Sequence, residues 1–288
     1  MSDLEHIAIE RIKTAAKMSE QAYKLPLVCT YSGGKDSEVL LELFLRSGVN
    51  FEVMHSHTTV DAPETVYHIR KRFKELDEKG IKCTIIPPRY KGEPTSMWKL
   101  IPDVGMPPSR YRRYCCSILK ESGGKNRFIA TGVRWAESVK RASRGIYETR
   151  AADISKRITL MNDNDDRRRL FENCRLNASR VANPIIDWTD TNIWDYALSE
   201  KLNLNPLYQC GYGRVGCIGC PMATTKERMR QFSRYPKYEA AYMRAFDRML
   251  KKRTLRNKER DWQTAEEVFH WWMDDGVLPG QIEMEIDI

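Results

Sequence analysis

Hydrophobic positions along the chain change period several times, and the changes predict its elements. Leu4, Ile7, Ala8, Ile12, Ala15 and Met18 recur at helical spacing, which predicts a helix over residues 3–22. Short apolar runs at 25–31, 51–55, 81–86 and 127–131 predict strands, and amphipathic stretches at 37–46 and 63–79 predict helices between them. Alternating strands and helices imply an α/β fold, a parallel sheet covered on both faces. A further strand is predicted near Val181–Ile186, followed by a helix over 190–201. Beyond Ala223 the pattern is helical, basic and aromatic to about Asp275. The chain therefore reads as an α/β domain over 1–222 and a helical C-terminal extension over 223–288. Trp262, Trp271 and Trp272 are expected to pack those helices, and Glu283–Asp287 to form a solvated tail.

The first strand runs into Ser32-Gly33-Gly34-Lys35-Asp36-Ser37 and then into an apolar helix. Glycines in a strand-turn-helix junction let the backbone approach an anion, and the helix N-terminus points amides at it. Ser32 and Ser37 add hydroxyls and Lys35 adds a cation, so the loop suits pyrophosphate. Its glycine spacing is not that of a Walker A loop. In a parallel sheet, ligands collect at the strand C-termini, where this loop falls.

Cysteine placement is the second source of chemistry. Cys115 and Cys116 are adjacent, and Cys217-Ile218-Gly219-Cys220 follows about a hundred residues later. Adjacent cysteines bridge each other only with strain. No signal peptide is evident, so a reducing, cytoplasmic compartment is expected. A Cys pair with a Cys-x-x-Cys offers four thiolates, enough for zinc or an iron–sulfur cluster. Cys29 and Cys83 lie in predicted strands and read as packed thiols; Cys174 lies in a polar, Arg-rich stretch, and Cys210 is a spare thiol before the Cys-x-x-Cys.

Charge narrows the partners. The 288 residues carry 48 Lys and Arg against 39 Asp and Glu, a formal charge of +9 that favours anionic partners, nucleotides or nucleic acid. Arg110-Tyr111-Arg112-Arg113-Tyr114 interleaves cations with aromatics, an arrangement suited to phosphate contact and base stacking. Arg167-Arg168-Arg169 and the segment from Lys251 to Arg260 are further basic runs. No apolar run is long enough to span a bilayer, so no membrane partner is expected.

Five segments in order carry a family resemblance. They are Ser32–Ser37; His57-Thr58-Thr59 with Asp61-Ala62-Pro63-Glu64-Thr65; Cys115-Cys116 with Lys120; Thr131-Gly132-Val133-Arg134-Trp135-Ala136-Glu137-Ser138 with Arg141; and Asn183-Pro184-Ile185-Ile186-Asp187-Trp188 leading to Leu207-Tyr208 and Cys217–Cys220. From Leu25 to Thr224 the chain resembles the phosphoadenosine-phosphosulfate reductase family of the adenine nucleotide α-hydrolase superfamily. The resemblance implies a Rossmann-like parallel sheet and the PP-loop of N-type ATP pyrophosphatases. It also implies a [4Fe-4S] cluster on Cys115, Cys116, Cys217 and Cys220, as in relatives like adenylylsulfate reductases.

Sulfonucleotide reductases of this family use a nucleophilic cysteine near the C-terminus, and no cysteine follows Cys220 here. A member with the loop and the cysteine set but without that nucleophile resembles the ATP pyrophosphatases of DNA phosphorothioation systems, the Dnd and Ssp types. Adenylation turns a phosphate oxygen into a good leaving group; a cysteine desulfurase would supply sulfur. The alternatives are a sulfonucleotide reductase and a tRNA-thiolating enzyme, which applies the same logic to a base carbonyl.

The resemblance places roles on residues. Ser32, Gly33, Gly34, Lys35, Asp36 and Ser37 are expected to hold ATP phosphates, with Asp36 alternatively a Mg²⁺ ligand. Lys35, Asp36 and Arg141 are the catalytic candidates, Arg141 by pairing with the α phosphate. Gly132 and Arg134 are expected at the phosphates, His57 and Thr58 at adenine or ribose, and Lys120 beside the anionic cluster, facing the nucleotide. The cluster is expected to act structurally and electrostatically, tying the segment at Cys115 to that at Cys217.

Overall fold

The computed structural model describes residues 2–120, 123–124, 126–150, 158–163, 179–255 and 262–274. The chain divides into two compact units. The first comprises Met1–Ser56, Pro63–Ile86 and Gly123–Val215, and the second His57–Ala62, Pro87–Ser122 and Gly216–Ile288. The boundary expected at 222–223 thus lies inside the second unit, which gathers two earlier segments that a cut along the sequence leaves with the first.

The first unit is built on a seven-stranded sheet. Its strands are β1 (Leu27–Thr30), β2 (Phe51–Ser56), β3 (Cys83–Ile86), β6 (Phe128–Ala130), β7 (Tyr147–Arg150), β8 (Thr159–Leu160) and β9 (Ser179–Ala182). They lie in the order β3-β2-β1-β6-β9-β7-β8. Pairing is parallel from β3 to β9, with Leu27 opposite Phe51 and Val28 opposite Ile129. β7 runs antiparallel to both β9 and β8. The fold is therefore the mostly parallel α/β sheet expected, with an antiparallel edge that was not.

Helices α1 (Ser2–Tyr23), α2 (Lys35–Ser47) and α3 (Pro63–Asp77) pack apolar faces on this sheet. Ala8, Ile12 and Ala15 of α1 are fully buried with Leu40, Leu41, Leu43 and Phe44 of α2. Chain order moves outward from β1 to β2 and β3, then returns to β6 on the other side. That reversal between β1 and β6 is a topological switch point, the place on an open parallel sheet where ligands bind.

One polar tie anchors α1. The buried Arg11 guanidinium donates to Asp163 at 3.0 Å, to both Asp187 carboxylate oxygens at 2.9 and 3.0 Å, and to the Pro184 carbonyl at 3.0 Å. It thereby holds the connection from β9 to the helix Asp190–Ser199. The strand expected at 181–186 is displaced: the ladder ends at Ala182, and Ile185 and Ile186 are buried in a turn.

The second unit holds a short hairpin of β4 (Arg89–Tyr90) and β5 (Glu93–Pro94) and helix α4 (Met97–Val104). It also holds three C-terminal helices, Thr225–Arg234, Pro236–Leu255 and Ala265–Met273. Aromatic rings fill its interior: Trp272 lies 4.6 Å from Tyr242 and 5.4 Å from Phe246, centroid to centroid, and Trp98 lies 4.9 Å from Tyr242. Trp262, Trp271 and Trp272 are all buried, as expected. Cys174, Arg167–Arg169, Lys258, Arg260 and Glu283–Asp287 lie outside the described residues. Among the described residues no helix is long and apolar enough to cross a membrane.

Arg11→Ala removes several charge-assisted hydrogen bonds from carboxylates that can still reach water, so it should cost about 2 kcal/mol. Denaturant unfolding should show a lower midpoint with an unchanged slope.

Candidate nucleotide and metal sites

The hydrophobic run of β1 ends at Tyr31, and the chain turns through Ser32–Gly34 into α2 at the switch point. Gly34, at the N-cap, has no side chain with which to cap the helix, so its first amides must find partners elsewhere. The Ser37 hydroxyl donates to the Gly34 carbonyl at 2.8 Å and lies 3.2 Å from the Ser32 hydroxyl, which fixes the turn. The Asn205 amide donates to the Gly33 carbonyl at 3.2 Å. The Lys35 backbone N–H donates to the Tyr208 hydroxyl at 2.8 Å, and burial pushes that phenol up to about 12.

The loop after β6 meets α2 at very close range. A Cβ on Gly132 would stand 3.1 Å from the Asp36 carbonyl oxygen, so glycine lets the two segments touch. Two residues on, the Arg134 guanidinium donates to Asp36 Oδ1 at 2.6 Å, to Asp190 Oδ1 at 3.0 Å and to the Trp188 carbonyl at 3.3 Å. The Lys35 ammonium donates to the same Asp190 oxygen at 2.6 Å and lies 5.7 Å from the Trp194 ring centre. Lys35 and Arg134 are 5% and 3% exposed, two buried cations focused on one carboxylate oxygen. Lys35 first, and Arg134 with it, hold the Asp190 carboxyl below its ordinary range. The structure thus brings together Ser32, Lys35, Asp36, Ser37, Gly132 and Arg134, all expected at the phosphates.

Arg141 stands differently. It is bound by Glu137, across the extended Ser138, and Glu137 also accepts from the Arg134 backbone N–H at 3.0 Å. Asp36 is the loop carboxylate: Oδ1 takes Arg134, while among the described residues Oδ2 meets only the Lys35 ammonium, at 3.5 Å. His57 and Thr58, expected at adenine or ribose, belong to the second unit. His55 is buried in the first, with Nδ1 2.9 Å from the Tyr31 carbonyl oxygen.

The second unit holds the four candidate ligands. Cys217 forms a bridge with Asp61, and the Ile218 N–H donates to the Val60 carbonyl at 2.8 Å. Thr58 hydrogen-bonds toward Cys217 and its N–H donates to Asp61 at 3.3 Å. Gly219, at φ 68°, donates its N–H to Gln231 at 2.9 Å. A Cβ there would meet Phe232, Trp272 and Tyr242 at 2.8–3.0 Å. The knuckle therefore needs glycine both for its backbone and for its aromatic wall.

Cys115 and Cys116 open a π-helical turn, Cys116–Lys120, and hydrogen-bond to each other. Cys115 first, then the Arg113 guanidinium 3.4 Å away, hold the Cys116 thiol below its ordinary range, while Cys115 is pushed up by the same bond and by burial. Burial pushes Cys217 up to about 11, opposed by Lys120. Cys217, then Asp61, Cys220 and Cys116, raise the Lys120 ammonium in turn. Thiols from both cysteine segments thus influence one another across one site that carries two cations. Four soft donors with compensating positive charge fit an anionic iron–sulfur cluster held by Cys115, Cys116, Cys217 and Cys220. Cys29 is buried in β1, Cys83 is half-buried in β3, and Cys210 is exposed in the first unit.

Sequence reasoning missed Asp190 and gave Tyr208 no role. An acidic residue at a helix start has an ordinary explanation in the helix dipole. The contact from Tyr208 to Lys35 spans 173 residues, with no local signal.

Cys217→Ser should lower the iron retained by anaerobically purified protein and bleach its absorbance near the visible range; full retention would remove Cys217 from the ligand set. Gly219→Ala should destabilise the second unit by about 1–3 kcal/mol through strain and overpacking, read as a lower thermal midpoint.

Comparison with known proteins follows the same lines. The phosphoadenosine phosphosulfate reductase domain matches residues 26–223. An uncharacterized protein of Methanocaldococcus jannaschii is 28% identical over 232 residues, covering 77% of this chain and 41% of that protein. A second protein of that organism is 27% identical and matched over 44% of its length, so the chain spans under half of either. An adenosine 5'-phosphosulfate reductase of Bacillus thuringiensis is 27% identical over 210 residues, 69% of this chain and 75% of that protein. Among solved structures, a phosphoadenylyl-sulfate reductase from Candida auris aligns at TM-score 0.48 and 15% identity, over 73% of this chain and 87% of its own. The U34-tRNA thiolase NcsA from Methanococcus maripaludis, solved with its [4Fe-4S] cluster, aligns at 0.44 and 15%, over 86% and 81%. With the Ser32–Ser37 loop, the Gly132–Arg134 turn and the cysteine segments falling inside the matched span, the chain belongs to the phosphoadenosine phosphosulfate reductase domain family.

Proposed function

We propose that the protein is an ATP pyrophosphatase that activates an acceptor by adenylation for sulfur incorporation, with a DNA phosphodiester as the acceptor. The observation that carries this reading is the convergence of Lys35 and Arg134 on one anionic oxygen beside the N-terminus of α2. Such a focus suits a polyphosphate whose charge grows on a leaving pyrophosphate. Ser32, Gly33, Gly34 and Ser37 would line that group, Lys35 and Arg134 would neutralise it, and Asp36 would hold Mg²⁺ at its freer oxygen. Arg141 would contact the α phosphate on leaving Glu137. His57 and Thr58 are assigned to the nucleoside by resemblance, although Thr58 bonds toward Cys217.

When bound, a [4Fe-4S] cluster would cross-link the Cys115 and Cys217 segments and set the local charge. Around it, Arg113 and Lys120 balance thiolate charge, and the aromatic wall at Gly219 excludes water. Support for a nucleic-acid acceptor comes from the second unit, where Tyr111 is 89% exposed between the exposed Arg112 and Arg110. The C-terminal basic run offers less, since Lys251 and Lys252 are paired with Asp247 and Asp103. A cysteine desulfurase is the partner that the chemistry requires.

The named relative from Bacillus thuringiensis favours a second reading, reduction of a sulfonucleotide. That chemistry needs a nucleophilic cysteine, and residues 221–288 contain none. Thiolation of a tRNA base is a third acceptor consistent with the same loop.

Anaerobic protein should release pyrophosphate from ATP, faster with DNA, and Asp36→Ala should lower the rate by about a hundredfold. Turnover of adenylylsulfate with thioredoxin, and no pyrophosphate from ATP, would make the protein a reductase.

A further inference from the structure

The cations of the PP-loop already have an anion. Lys35 Nζ and Arg134 donate to one oxygen, Asp190 Oδ1, at 2.6 and 3.0 Å. Two donors converging on one oxygen is how a phosphate oxygen is held. The Lys35 amide is likewise taken, by the Tyr208 hydroxyl at 2.8 Å.

Asp190 differs from Asp36 in how it is held. The Asp36 side chain is 27% exposed, whereas that of Asp190 is 63% exposed. Asp190 is the first residue of the helix Asp190–Ser199, and the cap of that helix is made by Thr189 with Asn192. Its carboxylate is therefore not the cap; it complements the helix dipole and is held by the two cations.

We infer that Asp190 is a resident competitor that sets the loop's affinity for anions: a carboxylate that occupies a phosphate-oxygen position and must leave before an external anion binds. The inference rests on the reading of the loop as a polyphosphate site. An entering anion must replace two charge-assisted hydrogen bonds before it gains any of its own. That penalty is the same for every anion and keeps weak ones, such as orthophosphate, out of the loop. A polyphosphate carries enough charged oxygens to exceed it. Swinging one exposed side chain on a helix's first turn disturbs no packing.

The test is titration of the full-length protein with pyrophosphate and with orthophosphate, by calorimetry, in Mg²⁺ and in EDTA. Asp190→Asn keeps the shape and removes the charge, and the Thr189–Asn192 cap preserves the helix. It should tighten both anions by a similar factor, about tenfold, with or without Mg²⁺, the amount expected for removing one like charge at a partly screened site. Asp190→Ser should do the same, which guards against a peculiarity of one substitution. Unchanged or weaker pyrophosphate binding by both variants would overturn the inference and leave the loop reading intact. Weakening confined to Mg²⁺ would overturn it too, by making Asp190 a metal ligand. If neither wild type nor variants bind pyrophosphate at millimolar concentration, the loop reading itself fails, and the inference with it.

Discussion

Two cations buried at the end of a parallel sheet set the terms for the first unit. Lys35 and Arg134 are almost wholly removed from water, and a buried charge is tolerated only with a partner. Asp36 and Asp190 are those partners, and they come from segments 154 residues apart in sequence, 190 less 36. The arrangement works only because β1 and β6 are neighbours in the sheet, so that the turns following them meet. It works also because position 132 carries no side chain, which lets the second turn lie against the Asp36 carbonyl. Replacing that glycine would push Arg134 away from its carboxylates and strand charge in the interior.

The second unit solves a different electrostatic problem. Four thiols gathered in one place repel one another as they ionise, and the site answers with Arg113 and Lys120. Metal binding requires the thiolates and releases their protons, so these cations prepay part of the charge separation. The aromatic packing around Gly219 does the geometric work, since it holds Ile218 and Cys220 in a turn that a larger residue would break open.

Much of this was legible in the sequence because it is local. The loop, the Gly132–Arg134 turn and the cysteine segments are short motifs whose chemistry depends on neighbours in the chain. The strands β1 and β6 announced themselves as apolar runs because both faces of a central parallel strand are buried. Other features left no such mark. Tyr147-Glu148-Thr149-Arg150 forms the antiparallel β7 without an apolar run, its order supplied by pairing with β9. Val181–Ile186 looked like one strand because Ile185 and Ile186 are as buried as Val181, and burial alone does not distinguish a strand from a packed turn. The makeup of the second unit was hidden for a related reason: residues 57–62 and 87–122 join it through contacts such as Val60 to Ile218, far apart in the chain.

The two arginines of the segment 134–141 show how one short stretch divides its labour. Arg134 is buried and held by Asp36, Asp190 and a backbone carbonyl, so moving it would uncover charge on every partner. Arg141 is one-third exposed and held by Glu137 alone among the ion pairs of the described residues. A partly exposed ion pair contributes about 0.2–1 kcal/mol, so Arg141 exchanges partners at little cost. Glu137 in turn stays fixed through the Arg134 backbone N–H. Within this one segment, then, one arginine is fixed by burial and the other is held by a single partly exposed pair.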